Sequence, residues 1–114
     1  MLPEDQEGRL RCYRNALRNW QPTGYILFQP RVEDWLAHEF PDITVREIRR
    51  RLYEHVESGG KIHELKERRP EFAHFEFHYD LRVTFDDRWI YFETVLDADD
   101  PDDPTITVVN IHDA

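Results

Sequence analysis

The sequence predicts an α+β fold in which two or three N-terminal helices pack on one face of a mainly antiparallel sheet of three to four strands that ends in a C-terminal β-meander. Apolar residues recur at helical spacing in the first half of the chain, whereas apolar and polar residues alternate without error from residue 73 to residue 85. Polar turn residues then separate two further β-rich segments. With 114 residues the chain is long enough for one core, so residues 1–114 are expected to form a single domain.

Three segments are predicted to be helical. The first follows Pro3 and several carboxylates, and it carries one apolar stripe of Leu10, Tyr13, Leu17 and Trp20. A second, short helix is expected over residues 32–40. The third begins at Thr44, because Thr44 and Glu47 have the spacing of a capping box, and it ends at the glycines of residues 58–60.

Five segments are candidates for extended structure, and the first two of them are short. Residues 72–85 have the alternation of a half-buried strand, and the Asp86-Asp87 pair that follows is suited to a two-residue turn. Two prolines and five aspartates make residues 97–104 a loop. The candidate strands are residues 25–28, 61–65, 72–85, 88–96 and 105–112.

The register of these strands predicts which side chains share a face. With Asp86-Asp87 in the turn, Arg82 lies opposite Tyr91 and Asp80 lies opposite Glu93. Two carboxylates facing each other are unfavourable, so either Arg82 offsets their charge or one of them keeps its proton with a raised pKa.

The last strand extends the same face. If Leu96 pairs with Thr105, then Val109 and Ile111 join the core. The polar face then gains Val108, Asn110 and His112 beside the residues of the preceding hairpin. The resulting candidate site contains His78, Asp80, Arg82, Tyr91, Glu93, Asn110 and His112. Three interpretations remain open: a solvated face with ion pairs, a catalytic or ligand-binding site, and a face packed against a partner.

The charge distribution favours a basic protein partner or a second copy of the chain. The formal net charge is -9, and residues 73–114 contribute two positive and eleven negative groups. An acidic surface repels phosphate backbones, which disfavours general nucleic-acid binding. The single cysteine, Cys12, allows no intramolecular disulfide, and no apolar run suits a signal peptide or membrane span, so a cytoplasmic location without membrane contact is expected.

No metal or cofactor is predicted. The histidines of His74-x-Glu76-x-His78 are about 13 Å apart on a strand, too far to share one ion. Glu76 and His78 would need His112 or Glu93 from neighbouring strands as further ligands. The aspartate-rich loop lacks the glycine and terminal glutamate of a calcium-binding EF-hand. The arginines at residues 49–51 are balanced by carboxylates in the same segment, which favours salt bridges on a helix face over RNA contacts.

The order of elements over residues 44–112, a capped helix followed by an antiparallel meander with a terminal histidine, resembles the RelE-like ribonuclease-toxin superfamily. That resemblance implies RNA cleavage without metal by a variable set of Arg, Lys, Tyr, His and Glu side chains on the sheet. The catalytic positions would be Arg82, Tyr91, Glu93 and His112. The other polar residues of the face, His78, Asp80 and Asn110, are the candidate ligand-binding residues from the register alone. The chain departs from the pattern in being acidic and in having no lysine on this face.

Two functions therefore remain as hypotheses. The first is a binding or regulatory module that recognises a protein partner with a basic surface. The alternative is a RelE-like endoribonuclease or an inactive relative of one. The site residues are the same in both cases, so the two hypotheses differ in the molecule that binds this face, a protein in the first and RNA in the second.

Overall fold

A five-stranded sheet carries three helices in the computed structural model, which describes residues 2–22 and 24–114. The α+β class is confirmed. The helices are α1 (Gln6–Arg18), α2 (Pro30–Glu39) and α3 (Val45–Glu57). The strands are β1 (Ile26–Phe28), β2 (His63–Lys66), β3 (Phe77–Phe85), β4 (Arg88–Asp97) and β5 (Thr105–Asp113). Among the described helices, none has the length and apolar composition needed to cross a bilayer.

The strand order is β1-β5-β4-β3-β2, and every pairing is antiparallel except that of β1 with β5. The predicted count of three to four strands was therefore too low. Both short candidate segments pair with the meander, β1 at one edge and β2 at the other. Whether such short segments join a sheet cannot be decided from sequence, because propensity alone does not determine the pairing of three or four residues.

Both ends of the third helix, α3, are capped as the sequence predicts. The Thr44 side chain accepts a hydrogen bond of 3.1 Å from the Glu47 amide. At the other end Gly59 has a φ of +96°, which favours glycine. The amides of Gly59 and Gly60 donate to the carbonyls of Val56 and His55 at 3.1 and 2.8 Å. This pair of bonds is a Schellman motif, and it satisfies carbonyls that the helix end leaves free.

The main core lies between the helices and one face of the sheet. Tyr13 and Leu17 of α1 and Leu52 of α3 meet Phe92 of β4 there, and each is at most 1% exposed. The Tyr13 hydroxyl bonds the Thr94 hydroxyl at 2.8 Å, and Thr94 donates to the Tyr79 carbonyl at 2.7 Å. The polar atoms of this buried pair are thus satisfied, as a dry core requires. Cys12 is a free, buried thiol of α1.

The prediction that residues 72–85 form one strand is wrong in its first part, because β3 begins only at Phe77. Residues 70–72 form a 3-10 turn, and the Glu67 amide donates to the Glu76 carbonyl at 2.9 Å, closing a loop between β2 and β3. We call residues 67–76 the strap. Residues 73–76 keep the alternating composition although they are not part of a strand.

The predicted register of β3 with β4 is confirmed, and that of β4 with β5 is wrong. Val83 pairs with Ile90 and Leu81 with Phe92, as the Asp86-Asp87 turn requires. Both turn aspartates have positive φ, 47° and 69°, the geometry of a type I′ hairpin.

In the second hairpin Leu96 pairs with Ile106 instead of Thr105, and a bulge interrupts the ladder between Glu93 and Thr94. Val108 therefore joins the core, and Val109 is buried outside the core cluster. The bulge inserts one extra residue, so Asn110 and His112 still share a face with Glu93 and Tyr91.

Candidate functional site

The candidate site is on the face of the sheet that the helices do not cover. Two rows of side chains cross the three central strands there. One row is Arg82, Tyr91 and His112, and the next is Asp80, Glu93 and Asn110. Each row follows from direct pairing of β3 with β4 and of β4 with β5. The structure thus brings six of the seven predicted residues into adjacent positions, and His78 lies on the same face one step along β3.

The first row is a stack of flat groups. The Tyr91 and His112 rings are stacked, with centroids 4.5 Å apart and planes 17° apart. The Arg82 guanidinium carbon lies 5.2 Å from the centroid of the Tyr91 ring, a cation-π distance. The ring Nδ1 of His112 lies 2.7 Å from the Asp113 carbonyl oxygen. Since a carbonyl only accepts, Nδ1 carries the proton, and in the neutral ring Nε2 is left as the basic nitrogen.

The two carboxylates of the second row are buried, and the strap reaches them. Asp80 is 4% exposed and Glu93 6% exposed, although they lie directly opposite each other. The Arg69 guanidinium of the strap reaches across and forms an ion pair with Glu93. Arg69 also lies 4.6 Å from the centroid of the Phe72 ring, which holds the guanidinium in place. The sheet face is therefore closed at this end by a charged loop and not by the N-terminal helix.

Glu67 fixes the conformation of the strap. Its carboxylate accepts four hydrogen bonds: from the Arg68 and Arg69 amides, both at 3.0 Å, and from Arg69 Nε and Nη2 at 2.9 and 2.8 Å. The Glu67 side chain is 1% exposed. The hydrogen bonds from the Arg69 side chain, with those from the backbone, lower the pKa of Glu67 to about 2 although burial opposes the shift.

Asp80 is the least satisfied member of the site. Burial raises the pKa of its carboxyl, and a hydrogen bond with the Tyr91 hydroxyl opposes that shift only in part. Its Oδ1 has no hydrogen-bond partner among the described residues, since the His78 ring Nε2 is 3.7 Å away. His78 lies between Asp80 and Glu67, with Nδ1 3.3 Å from Glu67 Oε2. Burial, followed by the contact with Asp80, also raises the pKa of Tyr91, so the phenol stays neutral near pH 7.

Asn110 lies in the second row. Its side-chain oxygen accepts a hydrogen bond from the adjacent Ile111 amide at 3.0 Å and not from another residue of the candidate site. Two members of the site are absent from the predicted set, namely Glu67 and Arg69. Both lie in the charged segment between β2 and β3, and nothing in their spacing indicates that this segment folds back over β4. Only the tertiary path of the strap brings them to the site.

The large hydrophobic side chains that stay exposed share this face. Leu27, Leu65 and Trp89 are 44%, 45% and 57% exposed. Leu27 alternates with buried Ile26, Leu65 pairs with His78, and Trp89 pairs with Thr84, so each points away from the helices. Leu27 is on one edge strand and Leu65 on the other. Among the described residues, apolar side chains of this size are thus exposed only on the sheet face that carries the two polar rows.

The clefts of the surface lie elsewhere. One of about 340 Å³ is at the end of the sheet between the strap and the start of the aspartate-rich loop, lined by His74, Phe75, Glu76 and Asp97. Another, of about 380 Å³, lies between α2 and α3. Within residues 2–22 and 24–114, no three His, Cys, Asp or Glu side chains are grouped so that they could hold a metal ion. Neither cleft is lined by a residue of the two polar rows.

Comparison of the chain with protein-family models, with curated proteins and with solved structures finds no match. The function is argued from the site alone.

Proposed function

We propose that this chain is a binding module that recognises a protein partner with a basic surface, and that the helix-free face of the sheet is its docking surface. The observation that carries the proposal is the exposure of Leu27, Leu65 and Trp89 on this one face. Large exposed side chains of this kind are typical of interaction sites, in which aromatic residues contribute much of the binding energy. A cytoplasmic location is part of the same proposal.

The charge of the surrounding segments favours a basic partner. The aspartate-rich loop follows β4 at one end of the face, and the Asp86-Asp87 turn lies at the other. Leu27 and Leu65 stand on strands separated by four interstrand steps, so they bracket a surface roughly 19 Å wide. The face thus has apolar side chains on its edge strands, and carboxylates on its central strands and in the loop and turn at its ends. This arrangement suits a partner that presents basic and apolar side chains together.

The test is capture of a partner by the wild type and by two matched variants. Trp89→Ser removes the most exposed aromatic side chain of the face, and Arg11→Ser changes an exposed residue of α1 on the helical layer. We expect the wild type and Arg11→Ser to capture the same basic protein. Trp89→Ser should bind it at least tenfold more weakly, as loss of a hot spot implies, and added salt should release it.

Light scattering on the purified chain is the second part of this test. If the chain is a dimer that the Trp89→Ser substitution dissociates, the face binds a second copy of the chain. That result would contradict the proposal of a basic protein partner. A monomer that captures nothing, or a partner held equally well by all three proteins, would contradict the docking surface itself.

A second candidate function, RelE-like RNA cleavage, is favoured by the row of Arg82, Tyr91 and His112. His112 is exposed, and its basic Nε2 can take the proton of a ribose 2′-hydroxyl, whose oxygen then attacks the adjacent phosphorus. The bond from phosphorus to the 5′-oxygen of the next nucleotide breaks, and that oxygen takes a proton from water. Arg82 would offset the charge on the phosphorane oxygens, and Tyr91 would position the nucleotide. Glu93 is paired with Arg69, which leaves His112 as the better base in this reaction.

Expression in a bacterial host tests the second candidate. If the row cleaves RNA, the wild type should slow growth and the purified protein should cut RNA without added metal. Arg82→Ala should lower cleavage at least a hundredfold, whereas Arg11→Ala, on the opposite layer, should leave it unchanged. Equal growth with wild type and Arg82→Ala, together with intact RNA, would rule out the ribonuclease.

A further inference from the structure

We propose that Asp80 and Glu93 form a recognition site for a guanidinium group of the partner, and that Arg69 of the strap is an internal occupant of part of this site. The proposal rests on the binding function described above, and it names the chemical group that the site selects. It follows from an imbalance of charge beneath the strap, from the geometry of the two carboxylates, and from the way in which Arg69 is held.

Carboxylates outnumber cations beneath the strap. The carboxyl side chains of Glu67, Asp80 and Glu93 are all buried, and the Arg69 guanidinium pairs with Glu67 and Glu93. Glu67 takes most of the Arg69 hydrogen bonds, and Glu93 takes the remaining contact. Arg82, the next cation on β3, lies over the Tyr91 ring, from where its charge favours the ionised form of Asp80. A buried charge without a full set of partners is costly, so the site as it stands is incomplete.

Asp80 is the carboxylate of the site that can accept a further hydrogen bond. It is 4% exposed, and its Oδ1 has no hydrogen-bond partner within the described part of the chain. Nearly all buried carboxylate oxygens in folded proteins accept a hydrogen bond, so an oxygen without one indicates a donor that is supplied from outside. The Tyr91 hydroxyl contacts Asp80 and lies 3.5 Å from Glu93 Oε1, which places a neutral donor between the two carboxylates.

A guanidinium fits this position better than an ammonium. Asp80 and Glu93 are direct cross-strand partners, so their side chains leave the sheet about 5 Å apart. A planar group with five N–H donors can bridge two carboxylates at that spacing, whereas an ammonium is a compact point charge. Arg69 uses the same mode in this structure, since its guanidinium bridges Glu67 and Glu93 and lies against the Phe72 ring.

Arg69 limits access to the site. Its side chain is 33% exposed, whereas those of Glu93 and Asp80 are 8% and 5% exposed, so Arg69 lies nearest to solvent. A partner guanidinium that bonds Asp80 and Glu93 must displace the Arg69 contact with Glu93. Arg69 can keep its bonds to Glu67 while this happens. Internal competition of this kind lowers the affinity for the partner group, and removal of the competitor should raise it.

The experiment uses three synthetic peptides and the 114-residue chain. The probe is a peptide of alternating arginine and glycine, and its control replaces each arginine by citrulline, which keeps the shape and removes the charge. Lysine-glycine peptide tests the preference for guanidinium. Binding is measured by calorimetry at low salt, and backbone NMR shifts show whether the contact is at β3 and β4.

We expect the arginine peptide to bind the wild type at least tenfold more tightly than the citrulline peptide, and more tightly than the lysine peptide. Asp80→Asn should lower this affinity about tenfold, whereas Asp97→Asn, an exposed aspartate on the same face of β4, should leave it nearly unchanged. Arg69→Gln should bind the arginine peptide at least fivefold more tightly, and the peptide should raise its Tm more than that of the wild type.

Folding does not obscure the result. Asp80→Asn removes a buried charge that faces Glu93, so it should be at least as stable as the wild type near pH 7. Glu93→Gln is a second variant with the same expected loss of binding. Equal losses in Asp80→Asn and Asp97→Asn, equal binding of arginine and lysine peptides, or no gain in Arg69→Gln would each overturn the site. Partner capture that depends on Trp89 but not on Asp80 would overturn it while keeping the binding function, whereas no capture at all would overturn the binding function.

Discussion

Replacing Glu64 by alanine is expected to lower the free energy of unfolding by about 3 kcal/mol, because it leaves the buried Arg9 charge unpaired. Glu64 accepts from Arg9 Nε and Nη2 at 2.8 and 2.9 Å and from the Tyr79 hydroxyl at 2.8 Å. The two charged side chains are 10% and 5% exposed. This ion pair joins α1 to the edge strand β2, so its loss should also loosen the strand that precedes the strap.

Urea unfolding measures the effect, and Glu54→Ala is the matched control. Glu54 also pairs with an arginine, Arg50, at 2.8 Å, but its side chain is 53% exposed on α3. An exposed pair of this kind contributes only about 0.3 to 0.5 kcal/mol. Similar losses in Glu64→Ala and Glu54→Ala would show that burial of the Arg9 pair does not stabilise the fold as we infer.

Glu67→Gln is expected to lower the free energy of unfolding by about 2 to 3 kcal/mol at pH 7, and this loss should vanish in acid. Glu67 has a pKa of about 2 in the folded chain, below its ordinary value of 4.5, because the Arg69 side chain bonds its carboxylate. A lowered pKa gives stability that is present above the unfolded value and is lost as the pH falls toward the folded value. The difference between wild type and Glu67→Gln should therefore shrink between pH 4.5 and pH 2.

Urea unfolding at a series of pH values between 7 and 2 checks this result. Glu71→Gln, in the same strap but exposed, is the control and should resemble the wild type at every pH. A difference between wild type and Glu67→Gln that stays constant with pH would contradict the assignment of the effect to the Arg69 contact, and would point instead to packing of the strap.

Much of the fold could be predicted because its signals are local. The Thr44 cap, the glycine end of α3 and the Asp86-Asp87 turn each depend on a few neighbouring residues, and the first hairpin register follows from that turn. The start of β3 was misjudged because the alternating composition continues into residues that leave the sheet. The bulge that moves Val108 into the core has no signal in composition, since Val108 and Val109 are identical residues.

The sequence by itself determined the α+β class, the helices, and the placement of Arg82 beside Tyr91 and of Asp80 beside Glu93, because alternation and turn length fix these relations along a single hairpin. Only the tertiary structure decided that the strap covers Asp80 and Glu93 and that Arg69 and Glu67 belong to the site. The path of a loop depends on long-range ion pairs and burial, which no local pattern encodes. The alternating segment therefore predicted the row of polar groups, and the fold decided which of them are buried and which remain open to a partner.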